Sequence, residues 1–493
     1  MWEKLRPYLA PIITSIISVI IGVLCVSKYP LIGYALALFP FVLIFIMFVF
    51  NNPYNALIVL FIVNYLTIGV SRYVNIMPGI IFDAFLLLTL ISFIVNLIFK
   101  KNNLKGTINC VTICSLIWLL YCIMMLFNPE QFSTKSWIST IRGFALYLFI
   151  IPILTYSASK DYSKVKTFIK IWSILTILAV LKALMQKYWG WDNAEKYWLF
   201  VENHKTTHII NSGIRYFSFM SDAANFGNTM GHSIVVFFIT ALVIKNKNKK
   251  IYYFIVSLLA TWGLLLSGTR SALAVPFVGL AIYVILSKNK RNTMFMAVTI
   301  LIIFLFFKFT PYGNGNQYIR RMRTVFNPED TSLEARTINK KRFAYYLKDK
   351  PFGIGIGVSN GRAKDIPDSA KEVYNIPTDS WYVMIWVETG IIGLTLNIIL
   401  MLIILIYGCW ITWTKIKNQE VLGITISLIG GIAGIMVASY ANEIYGQFPS
   451  CTIIYMSYAF ILLSPKYDQE VSKKKANLLK NKDNEKKDII YYG

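Results

Sequence analysis

Residues 376–394, IPTDSWYVMIWVETGIIGL, pass within a few positions from a polar loop into an apolar run, carrying Asp379 and Glu388 across the threshold beside a Gly-x-x-Gly at Gly390 and Gly393. Such a passage fits a membrane boundary, and the composition agrees. Of 493 residues, 56% are hydrophobic, 15% aromatic and only 15% charged, with a mean hydropathy of +0.56. Apolar runs of about 17 to 25 residues, long enough to cross roughly 30 Å of hydrocarbon, recur along almost the whole chain. In lipid their backbone groups must be satisfied within each segment, so the expected fold class is an all-α polytopic membrane protein.

About fourteen spans are expected, at roughly 8–27, 30–50, 55–71, 78–99, 108–127, 137–158, 165–189, 223–244, 251–268, 272–287, 293–310, 381–409, 421–440 and 449–464. The first follows Lys4 and Arg6, but no small-residue cleavage site trails it, so it reads as a retained helix. Basic clusters at 100–105, 160–166, 245–250, 288–291, 415–417 and in the tail fall on one side of these spans, which predicts both termini in the cytoplasm. Polar stretches at 190–222, 311–378 and 441–448 then face outward. The expected divisions are 1–222 (N-terminal spans with an outer loop at about 190–222), 223–310 (spans with a Ser-x-x-Arg turn), 311–378 (a large, partly helical outer loop before the twelfth helix), 379–464 (C-terminal spans) and 465–493.

The formal charge of +25 resembles a nucleic-acid signature until the lysines are placed, since they sit mostly in short loops and in the polar tail 465–493. That tail reads as disordered and close to anionic lipid, and no nucleic-acid partner is expected. Six cysteines, Cys25, Cys110, Cys114, Cys122, Cys409 and Cys451, all lie in apolar segments and read as packing residues. From Arg320 to Glu372 the large loop carries 12 Lys/Arg against 7 Asp/Glu, basic on the side that usually avoids basic residues. Long loops escape that rule, so either a solvated mixed-charge domain or an anionic ligand accounts for it.

Ionisable residues within or beside spans are costly and tend to face a cavity. Asp83, Arg142, Lys182, Asp222, Arg270 and Glu388 all map near outer helix ends, next to the basic loop. Three segments add detail. GIRYFSFMSDAANFGNTMGH (213–232) leads into a helix with Arg215 and Asp222 before it; LLLSGTRSALAV (264–275) is a tight turn around Arg270; SLEARTINKKRFAYYLKDKPFGIGIGVSNG (332–361) reads as a helix bearing Arg336 and Arg342, stopped near Pro351 and followed by a glycine run. GIGIG is no dinucleotide or P-loop fingerprint, because no strand precedes it and no Lys-Ser/Thr follows. Gly353, Gly355 and Gly357 instead suit a close backbone approach.

Taken in order, an external Arg segment, a Ser-x-x-Arg turn, a long loop with Arg and then Pro-x-Gly-x-Gly, and the 376–394 stretch resemble the bacterial O-antigen ligase and polymerase family over roughly residues 205–400. Members of that family carry His-Asn-x-x-Leu at the end of the large loop, followed by Glu, Gly and Gly. Tyr382, Glu388, Gly390, Gly393 and Leu394 keep the spacing here, whereas Asp379 and Ser380 stand in place of His and Asn, and Val383 in place of Leu. The family's histidine role therefore does not transfer unaltered.

The resemblance implies an inverting transfer of a glycan from undecaprenyl pyrophosphate to an acceptor hydroxyl at the outer face of the cytoplasmic membrane, with no nucleotide sugar, no metal and no other cofactor. Acceptors would be a glycan, a lipid A-core or a protein, with a chain-length regulator as a possible partner. A pyrophosphate leaving group calls for fixed positive charge, for which Arg is suited by its permanent charge and forked donors. Arg215, Arg270 and Arg336 match family arginines. Asp379 either accepts the acceptor's proton or only orients it. Arg142, Asp222, Arg342, Gly355, Tyr382 and Glu388 are expected to bind substrate or support the site, and Gly390 and Gly393 to pack the helix. His204 and His208 lack a further ligand at metal spacing. KYWGWDNAEKYWLF (187–200) reads first as an interfacial aromatic belt. The rival reading is a flippase or transporter of the same lipid-linked glycans, which would place charges deep in the spans of both halves.

Overall fold

The computed structural model describes residues 13–23, 30–74, 76–99, 104–210, 213–326, 331–363 and 371–492. Among them, ten helices are long and apolar enough to cross a membrane, and three shorter apolar helices accompany them (Ile13–Val23, Ala37–Asn51 and Arg270–Leu286). The chain is thus an all-α polytopic integral membrane protein. Cys25, Lys4, Arg6, Lys100 and Lys101 lie outside the described residues.

Two units divide the chain. One comprises Met1–Leu60 with Gly79–Asn103. Within it the Pro78–Ile98 helix fastens to the helix ending at Asn51 through polar side chains that reach backbone carbonyls, Ser92 Oγ to Val49 O at 2.8 Å and Asn96 Nδ2 to Phe50 O at 3.0 Å. Asp83 lies in the first turns of that helix.

The second unit, Phe61–Pro78 with Leu104–Gly493, holds everything that follows. Its centre is the pair Ala223–Val243 and Gln419–Ala438, whose apolar windows are 83% and 94% buried. Glycines let these helices close on the Ala274–Leu286 helix: a Cβ on Gly430 would sit 2.6 Å from Gly279 O, and one on Gly434 2.6 Å from Val275 O. Where lipid is as apolar as the side chains, such small-residue packing is a main source of helix association. The Lys290–Phe309 helix is the opposite case, with 6% of its window buried, and it leads into the large loop.

The described residues of the connections at 128–133, 189–222, 268–269, 310–380 and 439–449 gather at one end of this unit. The other end joins the Lys166–Glu420 pair, the Lys288 Nζ bond to Ile416 O and the start of the tail. That tail departs from expectation. Instead of losing order after residue 464, the chain continues as one helix, Ser450–Tyr492. Its first turns past Pro465 are pinned: Tyr467 donates to Ser159 O, the Asp468 carboxylate accepts from the N–H groups of Lys417 and Asn418, and Glu470 accepts from Tyr162 N–H.

The 376–394 stretch also departs from a simple helix entry. Trp381–Lys415 is helical except at Gly390, where φ 70° and ψ −176° break the path. Gly390 is a kink rather than a packing residue, and a Cβ there would lie 1.8 Å from Pro351 O.

Candidate active site

Four connections of the second unit, at 189–222, 268–269, 310–380 and 439–449, contribute residues to the walls of a cavity of about 1110 Å³ at the loop end. Arg215, Arg270, Arg336 and Asp379 all stand in its walls, as does Asp222. Residues that are far apart in sequence are therefore brought to one surface.

Arg215 leaves a two-stranded ribbon in which Ile209 pairs with Ile214 and Ile210 with Gly213. Its guanidinium is stitched to the Ser-x-x-Arg turn, with Nε donating to Ser267 O (3.2 Å), Nη2 to Thr269 Oγ1 (2.9 Å) and Nη1 to Thr207 O (3.0 Å). The turn itself is made by Gly268 at φ 57°, a left-handed cap closing the Lys247–Ser267 helix. Arg270 begins the next helical turn and donates to Thr324 Oγ1 at 3.2 Å. Burial lowers the affinity of Arg215 for its proton, Asp222 opposes that, and Arg270 and Arg336 push it lower again. Like charges gathered on one cavity wall favour an anion that joins them. Asp222 is already committed as the N-cap of Ala223–Val243, accepting from the N–H groups of Ala224 (2.7 Å) and Asn225 (2.9 Å).

Asp379 is exposed to the cavity in a left-handed conformation, φ 50°, which Asp tolerates better than most residues but which still costs energy. A clamp on either side holds it there. Thr378 N–H donates to Asn360 Oδ1 (2.9 Å), Asn360 Nδ2 donates to Thr378 Oγ1 (2.9 Å) and Glu443 Oε1 (2.7 Å), and Trp381 N–H donates to Ser439 O (3.0 Å). Thr378 Oγ1 and Arg362 Nη2 also donate to Glu443, the latter at 2.8 Å.

The remaining expected residues lie elsewhere. Glu388 is fully buried, accepting from Gly357 N–H (3.0 Å) and Ser359 Oγ (2.5 Å), with Arg362 Nη1 at 3.6 Å. Gly355 is buried in the same docked loop, its N–H on Glu388 O at 3.1 Å. Tyr382 donates to Met436 O at 2.8 Å. Arg342 is exposed on the Thr331–Tyr346 helix and Arg142 opens a short π-helical segment, and neither is in the cavity wall. Lys182 forms ion pairs with Asp192 and Glu195.

Sequence reasoning missed Arg321, Asn360 and Glu443. Arg321 donates through Nε to Gly268 O and adds a fourth guanidinium to the wall. Glu443 was legible only as an acid in the short polar piece 441–448. His204 lines the cavity while stacking on Trp198 at 4.5 Å, and among the described residues no three His, Cys, Asp or Glu side chains are close enough to hold a metal ion. Trp198 belongs to the aromatic stretch 187–200, but here it faces inward, forming with Phe217 a clasp on Arg72 at 4.4 and 4.6 Å.

A family model described as O-Antigen ligase matches residues 255–398, from the helix before the Ser-x-x-Arg turn through the kinked Gly390. Over 336 residues the chain is 22% identical to an O-antigen polymerase of Salmonella muenchen, covering 64% of this chain and 77% of that protein. Both matches support the O-antigen ligase and polymerase family. The O-antigen ligase match takes in Arg270, Arg336, Arg342, Gly355, Asp379, Tyr382 and Glu388, whereas Arg142, Arg215 and Asp222 precede it. The chain is thus similar to membrane proteins of the O-antigen ligase and polymerase family, over a stretch that includes most of the cavity's charged residues.

Proposed function

We propose that the chain transfers a glycan from undecaprenyl pyrophosphate to an acceptor hydroxyl at the outer face of the cytoplasmic membrane, as a polymerase or ligase of O-antigen or a related lipopolysaccharide or surface polysaccharide. The observation that carries this reading is the convergence of Arg215, Arg270 and Arg336 from three separate connections on one cavity that also exposes Asp379. Orientation rests on the basic clusters at the opposite end of the helices.

In this reading the arginines hold the pyrophosphate and stabilise the charge that grows on it. The acceptor oxygen attacks the anomeric carbon from the side opposite the leaving group. A new C–O bond forms as the bond from that carbon to the pyrophosphate oxygen breaks, and its electron pair departs on undecaprenyl pyrophosphate. The acceptor's proton passes to the Asp379 carboxylate, or to water if Asp379 only orients the hydroxyl. Asp222, Arg342, Arg142, Gly355, Tyr382 and Glu388 are supporting residues in this scheme, the last through the docked loop.

The test is surface glycan size and attachment in a deletion strain complemented with wild type or Arg270→Ala at equal membrane abundance. Single repeat units on the acceptor mark a lost polymerase, and long glycan left on undecaprenyl pyrophosphate marks a lost ligase. Wild-type glycan from Arg270→Ala overturns the transferase reading in favour of a transporter of lipid-linked intermediates.

A further inference from the structure

Beside the large cavity lies a smaller one of about 140 Å³ that shares Glu443 and Gln447 with it as walls. The size is informative. An enclosed space of roughly 150 Å³ takes one six-membered ring, and whole small-molecule sites run to several times that. The lining is mixed: Trp381 and Phe144, with ring centres 5.8 Å apart, form an aromatic corner, and Arg362, Glu443 and Gln447 bring a guanidinium, a carboxylate and an amide.

Polar capacity remains on these groups. Glu443 Oε1 accepts from both Asn360 and Thr378, but Oε2 is engaged by Arg362 alone of the bonds described, and a carboxylate oxygen can accept two. Arg362 Nη1 also faces the Glu388 carboxylate at 3.6 Å, and both Nη atoms contact Met384 Sδ at 3.3 Å, a weak acceptor that a hydroxyl would outcompete. An isoprenyl tail would gain nothing from an ion pair in its wall, whereas a pyranose offers hydroxyls to a carboxylate and guanidinium and C–H faces to aromatic rings.

We infer that this side cavity is a subsite for a single pyranose ring of the glycan, next to the arginine-lined cavity and entered across the Glu443–Gln447 wall. The inference rests on the glycan-transfer reading above and adds to it where one sugar is recognised. Gly143 supplies a clean way to fill the space. It lies in the widened π-helical turn Arg142–Leu146, lines the side cavity, and a Cβ added to it meets nothing within 4 Å except Tyr147 Cε2 at 3.9 Å.

The experiment uses the purified full chain transferring the lipid-linked glycan extracted from the deletion strain, with two competitors. One is the free saccharide released from that glycan by mild acid, and the other is undecaprenyl phosphate. Gly143→Leu should weaken inhibition by the saccharide tenfold or more and leave inhibition by undecaprenyl phosphate within twofold. Thr140, which lines the side cavity and not the large one, offers a second variant, and Thr140→Val scored in the same way serves if Gly143→Leu does not fold. Unchanged saccharide inhibition in the folded variants, or weakened inhibition by undecaprenyl phosphate instead, overturns the subsite. Arg270→Ala separates the two levels: if it too transfers glycan like wild type, the transfer reading has failed, and if it is inactive while Gly143→Leu behaves like wild type, only the subsite has.

Discussion

Asp379 and Glu388 lie nine residues apart in one stretch and end in opposite conditions. Asp379 is exposed to the large cavity, on a left-handed backbone held by its neighbours. Glu388 is buried beneath the glycine loop, its oxygens taken by Gly357 N–H and Ser359 Oγ and facing Arg362. One carboxylate is available to a ligand, and the other holds a loop in place. The difference shows that a carboxylate at a membrane entrance is read by what its oxygens already bind, not by its position in a motif.

The sharpest way to break the docked half is Gly390→Ala. Its Cβ would meet Pro351 O at 1.8 Å on a backbone that only glycine adopts readily, so a loss of at least about 3 kcal/mol is expected, read as collapse of the melting temperature in detergent. Next comes Glu388→Leu, which leaves the Gly357 N–H, the Ser359 hydroxyl and Arg362 without their acceptor and should cost about 3–5 kcal/mol. Glu388→Gln keeps part of that bonding, and its transfer rate per folded molecule should stay within about threefold of wild type, as for a group that does not touch substrate.

Asp379→Asn should do the reverse. Stability should hold to within about 0.5 kcal/mol, as at other exposed positions, while transfer falls at least tenfold. A loss of about 10²–10⁴ identifies a proton acceptor, and a loss near tenfold identifies an orienting group. Equal damage to stability and transfer at both carboxylates would erase the contrast drawn between them.

The smallest effect concerns the floor of the cavity's first connection. Burial lowers the His208 imidazole to about 4; Asp222 pulls it up, while Arg215 and Arg72 push it down. Trp198 and Phe217 also face its ring. An unfolded histidine takes its proton near 6.5, so between about pH 6.5 and 4 unfolding binds a proton and local stability falls as pH falls. With exchange rates corrected for the intrinsic pH dependence of amides, protection over residues 204–210 and 213–216 should fall across that window in wild type and lose the dependence in His208→Gln.

Much of the architecture could be read in one dimension. Apolar runs define helices because lipid offers no other partner for the backbone, and lysine-rich connections mark one end. Arg215, Arg270, Arg336 and Asp379 could be picked out because charge at a helix end beside a basic loop is costly without a purpose. The tail was misjudged because its composition is polar, and no local signal announces that Tyr467, Asp468 and Glu470 will meet Ser159, Lys417 and Tyr162. Gly390 could be seen but not interpreted, since a glycine in an apolar run packs or kinks according to what lies opposite, and what lies opposite is Pro351 from the far end of the loop.

By itself, then, the sequence determined that the chain is a helical membrane protein with a basic loop and arginines at one end, because partitioning into lipid and the cost of buried charge act on each segment separately. Only the tertiary structure decided that Asp379 is left exposed while Glu388 is consumed, that Arg321 and Glu443 join the walls, and that a ring-sized cavity lies beside them. Those outcomes depend on contacts between residues tens to hundreds of positions apart, and no local pattern records such contacts.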